Sequence, residues 1–157
     1  MKKVLSMLSV VILVCVMAAT VFAQGALKSG PSSPTEVVAA RKFAMKIMGA
    51  NVQDIREKIK AGNIKDVGTN AGSIASLAIF MPLFYKEEYR DVYPVKGSKY
   101  FYKAEIQDVA RAYEDLKVQA EKMMELATAG DRSAVEGQLP RLLGSCGSCH
   151  KPARGEY

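Results

Sequence analysis

Two cysteines and the chain's single histidine lie within five positions near the C-terminus, in the stretch GSCGSCH. Cys146 and Cys149 are three residues apart, and His150 directly follows the second cysteine. Thiols at this spacing lie on one side of a helix, where they can form thioethers with two adjacent vinyl groups while the histidine ligates iron. Cys-x-x-Cys-His is the attachment signature of a c-type haem. The motif predicts one covalent haem c, with His150 as the proximal iron ligand.

Three other uses of these residues compete with haem attachment. A thioredoxin-like redox pair starts a helix after a strand, and no strand pattern precedes these cysteines. A structural zinc site takes four ligands, but only three Cys or His residues remain once the segment containing Cys15 is removed. A plain disulfide is usual for two cysteines in an exported chain, yet it leaves the position of His150 without a reason. Haem attachment accounts for all three residues.

The first 23 residues have the composition of a secretory signal peptide. Lys2 and Lys3 precede an apolar run that ends in the small-residue sequence Val-Phe-Ala. We expect cleavage after Ala23, leaving no stable membrane anchor, and export to the periplasm. A retained anchor is the alternative, but the run contains two serines and leads straight into the cleavage sequence. Export agrees with haem attachment, which bacteria complete outside the cytoplasm.

Charge and length limit the classes of function. The chain carries 22 basic and 16 acidic residues, a net charge of +6, with no long basic block, so nucleic-acid binding is not indicated. Residues 24–32 are predicted to be a flexible Gly/Ser/Pro leader, and residues 33–157 suffice for one domain with a single core. No nucleophile or general-base constellation occurs apart from the haem motif. We therefore do not expect an enzyme.

Apolar residues at helical spacing predict four helices that position the motif. Their predicted ranges are about 33–62, 66–84, 100–129, and 131 into the motif itself. The first range opens with a capping box formed by Ser33 and Glu36. Pro140 is expected to kink or restart the fourth helix near residues 136–137. The predicted fold is an all-α, antiparallel four-helix bundle.

A bundle of this size with Cys-x-x-Cys-His near its C-terminus resembles the class II cytochromes c. That family comprises the cytochromes c′ and their low-spin, methionine-ligated relatives such as cytochrome c-556. The resemblance covers essentially the whole chain after the signal segment, and includes Arg41, the Leu83-Phe84 pair, and Arg154 four residues after the histidine. The chain departs from the family in lacking a tryptophan at the start of helix three and in having Pro140 in helix four.

The resemblance implies that the residue facing the distal side of the haem comes from helix one, one turn after an arginine. Arg41 and Met45 have this spacing, whereas cytochromes c′ usually carry leucine or phenylalanine at the second position. Met45 is therefore the predicted distal iron ligand, with Met48 next in line. Spacing alone favours core packing for both methionines. Bis-histidine ligation within one chain is excluded, because there is one histidine.

The distal ligand separates two predicted functions. Ligation by Met45 predicts a monohaem carrier of single electrons that serves redox partner proteins. An open distal face predicts instead a five-coordinate cytochrome c′ that binds nitric oxide or carbon monoxide. The resemblance also implies that a homodimer can form, since many relatives dimerise through their first two helices.

Arg41 and Arg154 are candidate contacts for the haem propionates. A guanidinium in an apolar seam is costly to bury alone, and a propionate offers it a bidentate anionic partner. For Arg41, the alternatives are a helix acid or a position at the rim of the bundle. Arg154 lies close to the chain terminus, where solvent exposure is the alternative.

Overall fold

The computed structural model describes residues 33–86 and 106–154, with side chains described as far as residue 150. Four α-helices and one short 3-10 turn make up this part of the chain, and it contains no strand. They are α1 (Pro34–Ala61), α2 (Val67–Phe80), the 3-10 turn Met81–Phe84, α3 (Ile106–Ala129) and α4 (Arg132–Arg154). The all-α prediction is confirmed. The predicted signal segment, the leader and most of the loop between the second and third helices lie outside the described residues.

The ends of α1 follow from local sequence signals. Ser33 Oγ accepts a hydrogen bond from the Glu36 backbone N–H at 3.2 Å, and the Ser33 N–H donates to the Glu36 carboxylate at 3.1 Å. This reciprocal capping box satisfies two backbone groups that have no partner within the helix. Gly62 ends the helix in the left-handed conformation, with φ of 81°, which glycine adopts without steric cost. Both predicted boundaries are confirmed.

The helices pack mainly against their neighbours in chain order. The most extensive contacts join α2 to α3, α3 to α4, and α1 to α2. Fully buried side chains from all four helices form one core; the largest are Ile55, Ile74, Met81, Met123 and Leu142. Direct contact between α1 and α4 is slight, because a cavity lies between them.

A buried amide fixes α1 against α2. Asn70 Nδ2 donates hydrogen bonds to Asn51 Oδ1 at 2.9 Å and to Asp54 Oδ2 at 3.3 Å, and Lys58 Nζ donates to Asn70 Oδ1. Buried polar groups are costly unless they are paired, so these contacts favour one register between the two helices. The network lies on α1 beyond Met45 and so helps to fix the part of the helix that borders the cavity.

Pro140 does not interrupt α4, which is continuous from Arg132 to Arg154. The predicted restart near residues 136–137 is therefore wrong. Pro140 is exposed, so the backbone carbonyl that loses its hydrogen bond has access to water. Gln138 is buried and donates through Nε2 to the Gln119 backbone carbonyl at 3.1 Å and to the Gln119 side chain at 2.9 Å. This contact holds α4 against α3 where the proline weakens the helix.

Candidate functional site

A cavity opens between α1, α3 and α4. Its volume is about 230 Å³. Twelve residues from the three helices line it: Met45, Met48, Gly49, Val52, Ala112, Tyr113, Leu116, Leu143, Ser145, Cys146, Cys149 and His150. The lining is mainly apolar, with sulfur atoms and an imidazole at the walls.

The α4 wall of the cavity contains the complete haem motif. Cys146, Cys149 and His150 share one helix face at positions i, i+3 and i+4, and all three side chains are half-buried. Burial raises the pKa of the Cys146 thiol, and a hydrogen bond from the backbone N–H of Cys146 partly opposes this shift. The side chain of Ser145 is also in this wall, and its hydroxyl donates to the Leu142 carbonyl at 2.7 Å. The structure thus brings the motif residues to a single cavity.

The α1 wall carries both candidate methionines. Met45 is half-buried and Met48 is buried, and both line the cavity that His150 borders from α4. Their positions, with Gly49 and Val52, follow the i, i+3, i+4, i+7 spacing of one helix face. Met45, the predicted distal ligand, and Met48, the next candidate, therefore lie in the same wall of the cavity.

Comparison with known proteins decides the family of this helical chain. The family model described as Cytochrome C' matches residues 36–154. The chain belongs to this family of class II cytochromes c. Its members bind one covalent haem c, which is therefore the cofactor of this protein. None of the curated proteins matches the sequence.

Solved structures of cytochromes c′ share the fold. The chain is 21% identical to a cytochrome c′ described as having an unusual ligand-controlled dimer dissociation, with a TM-score of 0.64 and coverage of 81% of this chain and 100% of that one. It is also 21% identical to cytochrome c′ from Thermochromatium tepidum, with a TM-score of 0.66 and coverage of 79% and 98%. Cytochrome c′ from Rubrivivax gelatinosus is 13% identical, with a TM-score of 0.59 and coverage of 76% and 94%. These likenesses confirm the four-helix bundle.

The cavity of this cytochrome c′ family member suits a haem in its chemistry. An apolar lining favours the porphyrin ring over water, and an open side leaves a route for polar propionates to reach solvent. Cys146 and Cys149 would hold the ring through sulfur, and His150 would ligate the iron. These three assignments remain predictions, as does the assignment of Met45.

Arg41 lies behind the cavity rather than in its wall. Its side chain is 4% exposed, and its guanidinium carbon lies 4.6 Å from the centroid of the Tyr85 ring, a favourable cation–π distance. The Tyr85 hydroxyl is 3.1 Å from the Tyr113 hydroxyl, and Tyr113 lines the cavity. Burial at this depth excludes the alternative position at the rim. Contact between Arg41 and a propionate stays a prediction.

The tyrosine pair is a part of the site that sequence reasoning missed. The rings of Tyr85 and Tyr113 pack with centroids 5.7 Å apart and planes tilted by 51°. Burial, and then the neighbouring Tyr85, raise the pKa of Tyr113 well above its usual range, so the phenol stays neutral. The apolar periodicity of helix three accounts for the burial of Tyr113. No local signal in the sequence pairs it with Tyr85.

Arg154 is the last residue of α4. Its side chain lies outside the described part of the structure, so its predicted contact with a propionate stays a prediction.

Proposed function

We propose that Cys146 and Cys149 attach the haem c of this protein and that His150 is the proximal iron ligand. The support is the shared face of α4, which brings two thiols and an imidazole to one apolar cavity. The cysteines fix the ring through two bonds, and the histidine follows on the same helical turn. The motif therefore orients the ring as well as binding it.

We further propose that Met45 is the distal ligand and that the protein carries single electrons between redox partner proteins. The observation that supports this is the position of Met45 on α1, in the wall of the cavity that His150 borders from α4. His150 and Met45 would supply an imidazole and a soft, neutral thioether, a ligand pair that would keep haem iron low-spin in both oxidation states and reorganisation on electron transfer small. No catalytic turnover is proposed.

A second candidate function is the binding of nitric oxide or carbon monoxide at a five-coordinate iron. The comparisons favour this candidate over electron transfer, because the matching family model and the similar solved structures are cytochromes c′. Met45 and Met48 would then serve as apolar filling on the distal side of the cavity. Room for a small ligand would have to remain between α1 and the iron.

The visible spectrum of the matured protein separates the two functions. We expect low-spin bands in both oxidation states that do not change when carbon monoxide is added to the reduced protein. A high-spin spectrum that shifts with carbon monoxide would contradict ligation by Met45 and establish the second candidate.

We propose that the chain is exported through the signal segment 1–23 and acts in the periplasm without a membrane anchor. This follows from the composition of the segment and from the chemistry of haem c attachment. Mass spectrometry of the exported protein tests it, with the expected mass equal to residues 24–157 plus one haem. A mass that includes residues 1–23 would contradict cleavage after Ala23.

We propose that two copies associate through the exposed apolar side chains at the end of α2 and in the 3-10 turn that follows it. Ile79, Phe80 and Leu83 are 53%, 56% and 67% exposed, and a structurally similar cytochrome c′ is described as a dimer that dissociates under ligand control. Leu83→Lys is expected to shift the protein to monomer in sedimentation velocity, because a charge cannot be buried there without a partner. Val118→Lys, on the exposed side of α3, is the matched control and should stay dimeric. A monomeric parent protein would contradict the proposal.

A further inference from the structure

The α1 wall of the cavity has a gap at its centre. Met45, Met48 and Val52 line the cavity with side chains, while Gly49, between them on the same face, contributes only backbone. We propose that Gly49 is the position at which the haem lies directly against α1, so that its missing side chain sets the depth of the haem cavity. The inference rests on the haem c of the family and not on the proposed ligation by Met45.

Backbone conformation does not account for a glycine at this position. Among the described residues, only Gly62 and Gly130 have positive φ, and Gly49 lies within the regular helix α1. Glycine in a helix interior is less favourable than alanine, because it loses more backbone entropy on folding. Neither the backbone conformation nor helix propensity thus explains the glycine at this point in α1.

Packing within the polypeptide does not explain Gly49 either. A Cβ atom at Gly49 would have no neighbour within 4 Å, whereas a Cβ at Gly72 in α2 would lie 3.3 Å from Met124 Sδ. Close approach of α2 and α3 thus explains Gly72 but not Gly49. Gly49 is exposed and also lines the cavity, so a group that fills the cavity would come to lie beside it.

The positions of α4 and α1 indicate that the group filling this space is the haem ring. A ring fixed to Cys146 and Cys149 on α4 would extend from that wall into the cavity, whose other long wall is α1. Bare backbone at Gly49 lets a flat group come closer to α1 than any side chain would permit. A larger residue there would shorten the cavity between α1 and α4 and push the ring away from α1, whichever distal ligand the iron has.

Two pairs of variants of the matured haem protein test this inference. Gly49→Ala and Gly49→Leu fill the gap in two steps. Gly137→Ala and Gly137→Leu are matched controls, because Gly137 is exposed within a helix, as Gly49 is, and a Cβ atom there would also have no neighbour within 4 Å. Gly137 differs in that it does not line the cavity. The measurements are the visible spectrum and the guanidinium midpoint of unfolding.

The Gly137 variants are expected to keep the parental spectrum and to unfold at the same or a higher denaturant concentration, as better helix formers should. Gly49→Leu is expected to change the spectrum and lower the midpoint, because overpacking strains a filled site. Gly49→Ala should shift both quantities in the same direction by a smaller amount.

A Gly49→Leu protein with the parental spectrum and a midpoint equal to that of Gly137→Leu would overturn the inference. If Gly49→Leu cannot be isolated, Gly49→Ala tests the inference alone. A Gly49→Ala midpoint that rises as much as the Gly137→Ala midpoint would contradict a haem at this position. Failure of Met45 to ligate iron would alter the parental spectrum but not the difference between the two glycine pairs. The two hypotheses can therefore fail separately.

Discussion

Replacement of both Cys146 and Cys149 by serine is expected to give an exported chain that carries no covalently bound haem. A serine hydroxyl cannot take the place of the thiol in a thioether, so the whole of the covalent attachment should be lost. Mass spectrometry under denaturing conditions should give the mass of the polypeptide alone, and haem absorbance should no longer remain with the denatured protein. This is the largest effect that we predict.

A serine between the two cysteines provides the control for this experiment. Ser148 is exposed and its hydroxyl donates to the Ser145 carbonyl at 2.7 Å, so Ser148→Ala changes the same turn of α4 without removing a thiol. We expect this variant to keep one haem per chain. Haem that stays with the denatured double-serine chain would contradict attachment through Cys146 and Cys149.

Replacement of Met45 by leucine is expected to change the iron from six-coordinate and low-spin to five-coordinate and high-spin. Leucine has no ligating atom but nearly the volume of methionine, and such exchanges usually cost less than about 1.5 kcal/mol of stability. The bundle should therefore fold while the spectrum changes. Carbon monoxide should shift the spectrum of reduced Met45→Leu protein, and the reduction potential should fall, because a methionine ligand raises it.

Met48→Leu is the matched control, since Met48 lines the same wall one turn away. We expect it to keep the low-spin spectrum and its insensitivity to carbon monoxide. If Met48→Leu changes the spectrum and Met45→Leu does not, the distal ligand is Met48. A parental protein that is already high-spin would exclude both methionines and establish the gas-binding function.

The sequence alone determined the features that depend on residues close together in the chain. Ser33 and Glu36 interact within one helical turn, and Gly62 ends α1 through its own φ angle, so both ends of α1 could be predicted. The shared face of Cys146, Cys149 and His150 could be predicted from their spacing, because any helix places positions i, i+3 and i+4 on one face. The four-helix bundle could be predicted from the apolar periodicity, because it indicates which face of each helix is buried.

Only the tertiary structure decided which residues share an environment across the bundle. Tyr85 and Tyr113 are joined through their hydroxyls although 28 positions separate them, and Arg41 packs on Tyr85 rather than in the cavity wall. The role of Gly49 depends likewise on the space between α1 and α4. The continuity of α4 at Pro140 depends on the access of solvent to the helix and on the contact between Gln138 and α3. Side-chain contacts of this kind depend on how helices approach each other, which periodicity within one helix does not specify.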